Sequence, residues 1–376
     1  MTIFDHSLPY IRAISPYQPG KPITELAREM GIPVDGIVKL ASNENPLGMS
    51  PKARAAMEKA CATLERYPDD FVLKHALAEH TGVASEGIVL GNGSNDVLDL
   101  IARVFLAPGR SAIFSQHAFA VYALATQAAG AQSIVISAKE FGHDLDAMRA
   151  AVRTDTDANT RLIWIANPNN PTGTFLPHAA VKAFLQALPP DVIVVLDEAY
   201  NEYLPPAERS NTSAWLSEFP NLVITRTFSK IYGLAGLRIG YALTAPEIAD
   251  LMNRVRQPFN CNNLALAAAT AALDDHEFVA RSYALNRVGM AQIVAGLAKL
   301  GLTHIPSFGN FVAFRVGEAS ATAAANRQLL QQGVIVRPIA GYGMPEWLRV
   351  TIGTESENVR FLDALAQAMQ TLALRV

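Results

Sequence analysis

Cysteine is nearly absent from this chain: its 376 residues contain two, Cys61 and Cys261. Two cannot build a disulfide framework, and free buried thiols in a reducing compartment are expected. Long hydrophobic runs are missing too. No stretch approaches the roughly eighteen apolar residues of a membrane-spanning helix. Residues 1–10, with Asp5, His6 and Pro9, lack the basic-then-apolar order of a signal peptide. A cytoplasmic protein with no membrane partner is the expectation. Positive charge is not in excess: 31 Lys and Arg stand against 34 Asp and Glu, a net charge of -3. With no basic block, nothing attracts nucleic acid. His75 and His80, five apart, do not share a helix face, and no metal is expected. The segment Gly91-Asn92-Gly93-Ser94-Asn95-Asp96 fails as a dinucleotide fingerprint, because Asp96 stands in the third glycine position.

What the chain does have is apolar residues, half of the total, enough for one large and one small unit. Short apolar runs at 88–90, 112–115, 161–166, 192–196 and 222–226 read as strands. Helical patterns at 51–64 and 71–80, and others between the strands, predict a mostly parallel α/β sheet covered on both faces. After helices at 246–256 and 264–300, the second broken near Asp274-Asp275, composition changes at Gly301. Strands at 311–315 and 334–337 with helices at 321–332 and 357–374 read as a smaller α/β unit. The Pro- and Gly-rich first forty residues, with a helical pattern at 23–30, read as an arm. The expected division is 1–45 for the arm and part of the small unit, 46–275 for the large unit, and 276–376 for the small one.

Ligands in parallel sheets bind at the carboxyl ends of the strands. Asn170, Asp197 and the group Thr227 to Lys230 all fall at that edge. A lysine at a strand end among apolar residues can have its pKa lowered, and a deprotonated amine is what Schiff-base chemistry requires. Thr227, Ser229 and Arg238 are donors suited to a phosphate dianion, Arg238 as a fork. The glycines before Ser94 open a helix whose first amides are free for one phosphate, with Ser94 as N-cap. Phe119 and Tyr122, on a following helix, are by default core packing.

Ser229-Lys230 with Gly233-Leu234-Ala235-Gly236-Leu237-Arg238-Ile239-Gly240-Tyr241 resembles the cofactor-lysine motif of pyridoxal-phosphate aminotransferases of the aspartate-aminotransferase fold (fold type I). Within these, Tyr67 and the segment Arg349-Val350-Thr351-Ile352-Gly353-Thr354 are similar to the histidinol-phosphate aminotransferase branch. The resemblance implies pyridoxal 5'-phosphate as cofactor, with Lys230 as Schiff-base lysine and proton carrier. Asp197 would face the pyridine nitrogen, and Asn170 and Tyr200 the ring oxygen. Thr227, Ser229, Arg238 and the amides near Ser94 and Asn95 would hold the phosphate. Phe119 would stack on the ring, in a segment His117-Ala118-Phe119 where the family usually has Pro-Thr-Tyr. Tyr67 would reach the partner's cofactor across a homodimer interface. Tyr17, Asn43, Asn45, Tyr67, Asn310, Arg349 and Arg360 would border the substrate, with Arg349 anchoring its anionic end. The implied reaction interconverts histidinol phosphate and 2-oxoglutarate with imidazole-acetol phosphate and glutamate, in histidine biosynthesis. Relatives on the same scaffold transaminate aromatic amino acids or decarboxylate threonine phosphate, and these are the alternatives.

Overall fold

The structure is a computed structural model that describes residues 2–154 and 159–373. Met1 and Leu374, the ends of two stretches read from sequence, lie outside the described residues. The strands are β1 (Val38–Lys39), β2 (Ile88–Gly91), β3 (Ser111–Ser115), β4 (Gln132–Ile136), β5 (Thr160–Ala166), β6 (Ile193–Asp197), β7 (Leu222–Thr227), β8 (Gly240–Thr244), β9 (Phe311–Arg315), β10 (Val334–Ile335), β11 (Arg337–Pro338) and β12 (Trp347–Thr351). The first helices are α1 (Pro9–Arg12), α2 (Ile23–Met30), α3 (Pro51–Ala60), α4 (Phe71–Thr81), α5 (Ser94–Phe105), α6 (Ala120–Ala128) and α7 (Leu145–Thr154). They are followed by α8 (His178–Gln186), α9 (Pro246–Val255), α10 (Asn263–Leu273), α11 (His276–Lys299), α12 (Ala319–Gln331) and α13 (Glu355–Ala373). No helix among the described residues is long and apolar enough to cross a membrane.

A 7-stranded sheet in the order β2-β8-β7-β6-β5-β3-β4 forms the large unit. Only β8 runs against the others, antiparallel to both β2 and β7. Alternate strand residues feed two separate cores. Ile163, Ile165, Val194 and Leu196 pack towards one layer, with residues of α3, α4, α8 and α10. Leu162, Trp164, Val195 and Val223 pack towards the other, with residues of α5, α6 and α9. Both faces are therefore dry, which is why the strands read as unbroken apolar runs. Each fully buried aliphatic side chain contributes roughly 1.5–3 kcal/mol. The smaller C-terminal unit has a sheet ordered β11-β12-β9, backed by a third core that includes Phe314, Leu348 and Phe361. The arm joins it, β1 pairing parallel with β10.

Several expectations need correction. No strand of the large unit is read after 222–226, yet Gly240 starts β8. That strand hides because two glycines and an arginine precede its apolar run. The edge strand β4 is a further addition: its apolar run is only three residues, Ile134 to Ile136. The stretch 334–337 is not one strand: β10 pairs with β1, whereas β11 pairs with β12, so the chain changes sheets at Val336. Ser94 is not the N-cap of α5. Gly93 is, at φ 84, and Ser94 is the first helical residue. The expected pair of buried thiols is half right: Cys261 is buried, but Cys61 is exposed on the turn that ends α3.

Candidate active site

The carboxyl ends of β5, β6 and β7 open on a cavity of about 370 Å³, closed on its far side by the arm and the small unit. Lys230 lies three residues beyond β7. Its Nζ donates to the Ser42 carbonyl at 3.2 Å and lies 5.7 Å from the centre of the Tyr200 ring. Burial, helped by the Arg349 and Arg238 cations, lowers its amine to about 8, although Glu44 and Tyr17 pull the other way.

Asp197 ends β6 opposite Thr225 of β7. Its carboxylate accepts from the Tyr122 hydroxyl at 2.7 Å and from the Thr225 hydroxyl at 3.0 Å. Burial pushes this carboxyl up, and the two hydroxyls restrain it. Among the described residues no basic side chain forms an ion pair with it. A buried carboxylate held this way suits a cationic N–H donor brought by a ligand.

The same cavity also holds a cup of donors. Arg238 adopts a left-handed conformation (φ 59) and donates Nη1–H to the Ala235 carbonyl at 3.1 Å. Its guanidinium presses against Gly93, where an added Cβ would fall 2.1 Å from Nη2. A Cβ on Gly240 would fall 2.5 Å from the Ser94 nitrogen. Only glycine at both positions lets the β2–α5 turn close on the β7–β8 connection. The result brings Arg238, Thr227, Ser229 and the first turn of α5, with Ser94 and Asn95, around one point. Guanidinium, hydroxyls and a helix N-terminus together suit a phosphate.

The remaining wall comes from distant segments. Arg349 on β12 donates to the Asn170 side-chain oxygen and, at 2.8 Å, to the Ala41 carbonyl. Its Nε is buried without a partner among the described residues. Asn43, at φ 56, donates to the Tyr200 hydroxyl at 2.8 Å. Thr351 and Asn310 hold Asn43 through its backbone N–H and carbonyl. Arg337 on β11 is the direct cross-strand neighbour of Arg349, and both line the cavity. Like charges so opposed repel one another, and an anion between them relieves this.

A match to the family described as aminotransferase class I and II spans residues 35–365. The chain belongs to this family. Among its relatives, histidinol-phosphate aminotransferase 1 of Dechloromonas aromatica (strain RCB) is 70% identical over 369 residues, 98% of this chain and 100% of that one. The crystal structure of histidinol-phosphate aminotransferase from Sinorhizobium meliloti in complex with pyridoxal-5'-phosphate superposes with a TM-score of 0.90 at 30% identity, covering 99% of both chains. An aspartate aminotransferase double mutant from Thermus thermophilus superposes with a TM-score of 0.81 at 23% identity, over 96% of this chain and 99% of that one, and shows the fold alone.

In this aminotransferase, the cavity gathers Tyr17, Asn43, Ser94, Asn95, Phe119, Asn170, Asp197, Tyr200, Thr227, Ser229, Lys230, Arg238 and Arg349. Four residues read as part of the site stand elsewhere. Asn45 is buried, donating to the Ile231 carbonyl and the Ser282 hydroxyl. Asn310 sits behind Asn43 and does not line the cavity. Arg360 is spent on the carbonyls of Gly36 and Gln332. Tyr67 is 80% exposed and stacks on Phe259 with ring centres 4.5 Å apart. Conversely, Tyr122, Arg337 and Tyr342 line the cavity and were not read as site residues. Tyr122 is fully buried and stacked parallel to Trp164, so its apolar signal hid its hydroxyl. Its place one helical turn after Phe119 was the available clue.

Proposed function

We propose that this chain is a pyridoxal-phosphate-dependent histidinol-phosphate aminotransferase of histidine biosynthesis. It interconverts histidinol phosphate and 2-oxoglutarate with imidazole-acetol phosphate and glutamate, as a cytoplasmic homodimer. The observation that carries this reading is the division of one cavity. A lysine, a buried carboxylate and a phosphate cup occupy one end, and two opposed arginines the other, in a chain matching proteins of that name along nearly its whole length.

The residues present fit the cofactor. Arg238, Thr227, Ser229 and the amides of Ser94 and Asn95 would hold its phosphate. Asp197, which accepts from the hydroxyls of Tyr122 and Thr225, would hold a proton on the ring nitrogen. Phe119 would cover a ring face, and Tyr200 and the Asn170 amide would donate to the ring oxygen. When bound, pyridoxal phosphate supplies an aldehyde for the amine and a ring that accepts the electron pair left on the substrate carbon.

The chain supplies placement and proton transfer. Lys230 would hold the cofactor through its amine. As a free amine with its pKa lowered to about 8, it would be the base that takes the proton from the substrate carbon and the acid that gives it back. The arm and the small unit wall the far side of the cavity and would limit the access of competing water to that carbon. Arg349 and Arg337 would take the phosphate of one substrate and a carboxylate of the other, which explains how one pocket serves two unlike molecules.

Tyr67 does not line the cavity described above. Together with exposed Phe71, Val72 and Phe259 it supports a homodimer in which Tyr67 reaches the partner's cofactor. The small unit divides from the large one at 275–276, between α10 and α11, with the arm to residue 45. Specificity constants for histidinol phosphate and for phenylalanine, each with 2-oxoglutarate, test the substrate. A preference for phenylalanine would overturn the reading. An active monomer by light scattering at assay concentration would overturn the dimer.

A further inference from the structure

Both cavity arginines ride on one hairpin, β11 to β12, with Arg337 paired to Arg349. The connection between these strands contains a short helix, Ala340–Tyr342, capped by Gly343 at φ 72. Its internal bonds are local: the Tyr342 amide donates to the Ile339 carbonyl and the Gly343 amide to the Ala340 carbonyl, each at 3.0 Å. With glycine at 341 and 343 such a turn has many alternative backbone states. Ile339, Tyr342 and Met344 bury the connection against Ile305 and Ala313, with Ala120 of the large unit packed on that cluster. Such packing is non-directional, so a polar link is needed to fix its register.

His117, on the large unit between β3 and Phe119, makes that link. Its Nδ1 lies 2.7 Å from the Tyr342 carbonyl, and since a carbonyl only accepts, Nδ1 carries the proton. The imidazole is 8% exposed. It is held in turn, because Asn169 Nδ2 donates to the His117 carbonyl at 2.8 Å and Phe141 stacks on the ring at 6.3 Å. Phe141 also meets Trp347 of β12 edge-on at 5.2 Å. The imidazole does not line the cavity and touches no reacting atom.

We propose that His117 is a positioning residue for substrate binding. Its bond to Tyr342 pins the hairpin connection across the joint between the two units. It thereby registers the Arg337–Arg349 pair and the Tyr342 wall against the loop that carries Phe119. The proposal deepens the functional reading above and rests on it for the identity of the substrate, a phosphorylated amino alcohol. The bond forms with the joint, before chemistry, and so acts on binding and not on proton transfer.

The test compares wild-type, His117→Ala and His117→Asn holoenzymes, Asn retaining a side-chain N–H that can reach the same carbonyl. Losing the bond should raise the KM for histidinol phosphate roughly 3- to 10-fold, as expected for one hydrogen bond. The kcat should stay within about twofold, the pattern of lost uniform binding. The cofactor dissociation constant should not move. In the protein without substrate, amide hydrogen exchange over residues 340–347 should quicken in His117→Ala, and His117→Asn should restore both exchange and KM. Unchanged KM and exchange in His117→Ala would overturn the proposal. So would a folded His117→Asn as impaired as His117→Ala, or a loss confined to kcat. Failure of the wild type to turn over histidinol phosphate would instead refute the functional reading, while the exchange comparison would still decide whether His117 pins the hairpin.

Discussion

The two ends of the cavity are built on different plans. The end proposed to hold the cofactor comes from consecutive strand ends of one sheet: Asn170 beyond β5, Asp197 on β6, Thr227 to Lys230 on and beyond β7. Its groups are set by β ladders with dry layers on both sides. The end proposed for the substrate is assembled from Tyr17, Asn43, Arg337, Tyr342 and Arg349, segments far apart in the chain and held mainly by bonds to backbone carbonyls. Arg349 reaches Ala41, Arg337 reaches Gln18, and Asn310 reaches Asn43. A sheet edge is a rigid platform for covalent chemistry. A wall joined from separate pieces can adjust to two substrates of different shape.

Substitutions at the two ends should therefore fail differently. Lys230→Ala, at the cofactor end, should lower turnover by roughly four orders of magnitude and abolish the visible absorbance band. Retention of that band would break the comparison at its centre. Arg349→Gln should raise KM for both substrates by roughly a hundredfold, since a buried charged anchor is lost. The spectrum should survive, and if it bleached, the two ends would be one unit. Tyr122→Phe removes one hydroxyl from Asp197, whose carboxyl should then move further up. Cofactor affinity should fall roughly tenfold, and an unchanged dissociation constant would place Tyr122 back among purely packing residues.

The smallest effect is on stability. The Lys230 amine is depressed from 10.5 to about 8 in the folded chain. Between those values the unfolded chain binds more protons, so folding stability should rise with pH across that window and be lost as pH falls through about 8. Relative to Lys230→Met, the cofactor-free protein should gain about 1–2 kcal/mol over this range, after allowing for solvent that reaches the half-buried amine. Thermal melts of both proteins at pH 7.5 and 10.5 would show it, and parallel curves would remove the case for a desolvated amine.

The cofactor end was legible in the sequence because its residues follow apolar runs at recognisable places. The substrate end was only partly so. Arg349 was found on its strand, but Arg337 was lost in a stretch read as one strand, and Tyr122 was hidden by burial. Arg360 and Asn45, both polar residues near the right motifs, are spent on structural bonds that no local pattern announces.

By itself the sequence determined the alternating layers, the strands that end in chemistry and the lysine with its phosphate donors, since each depends on periodicity or on neighbours a few residues apart. Only the tertiary structure decided that Arg337 stands opposite Arg349, that Tyr122 gives its hydroxyl to Asp197 and that His117 reaches Tyr342. Those contacts join residues from 12 to 225 positions apart. They form only when packing of the two units brings the segments together, a condition that local residue preferences do not encode.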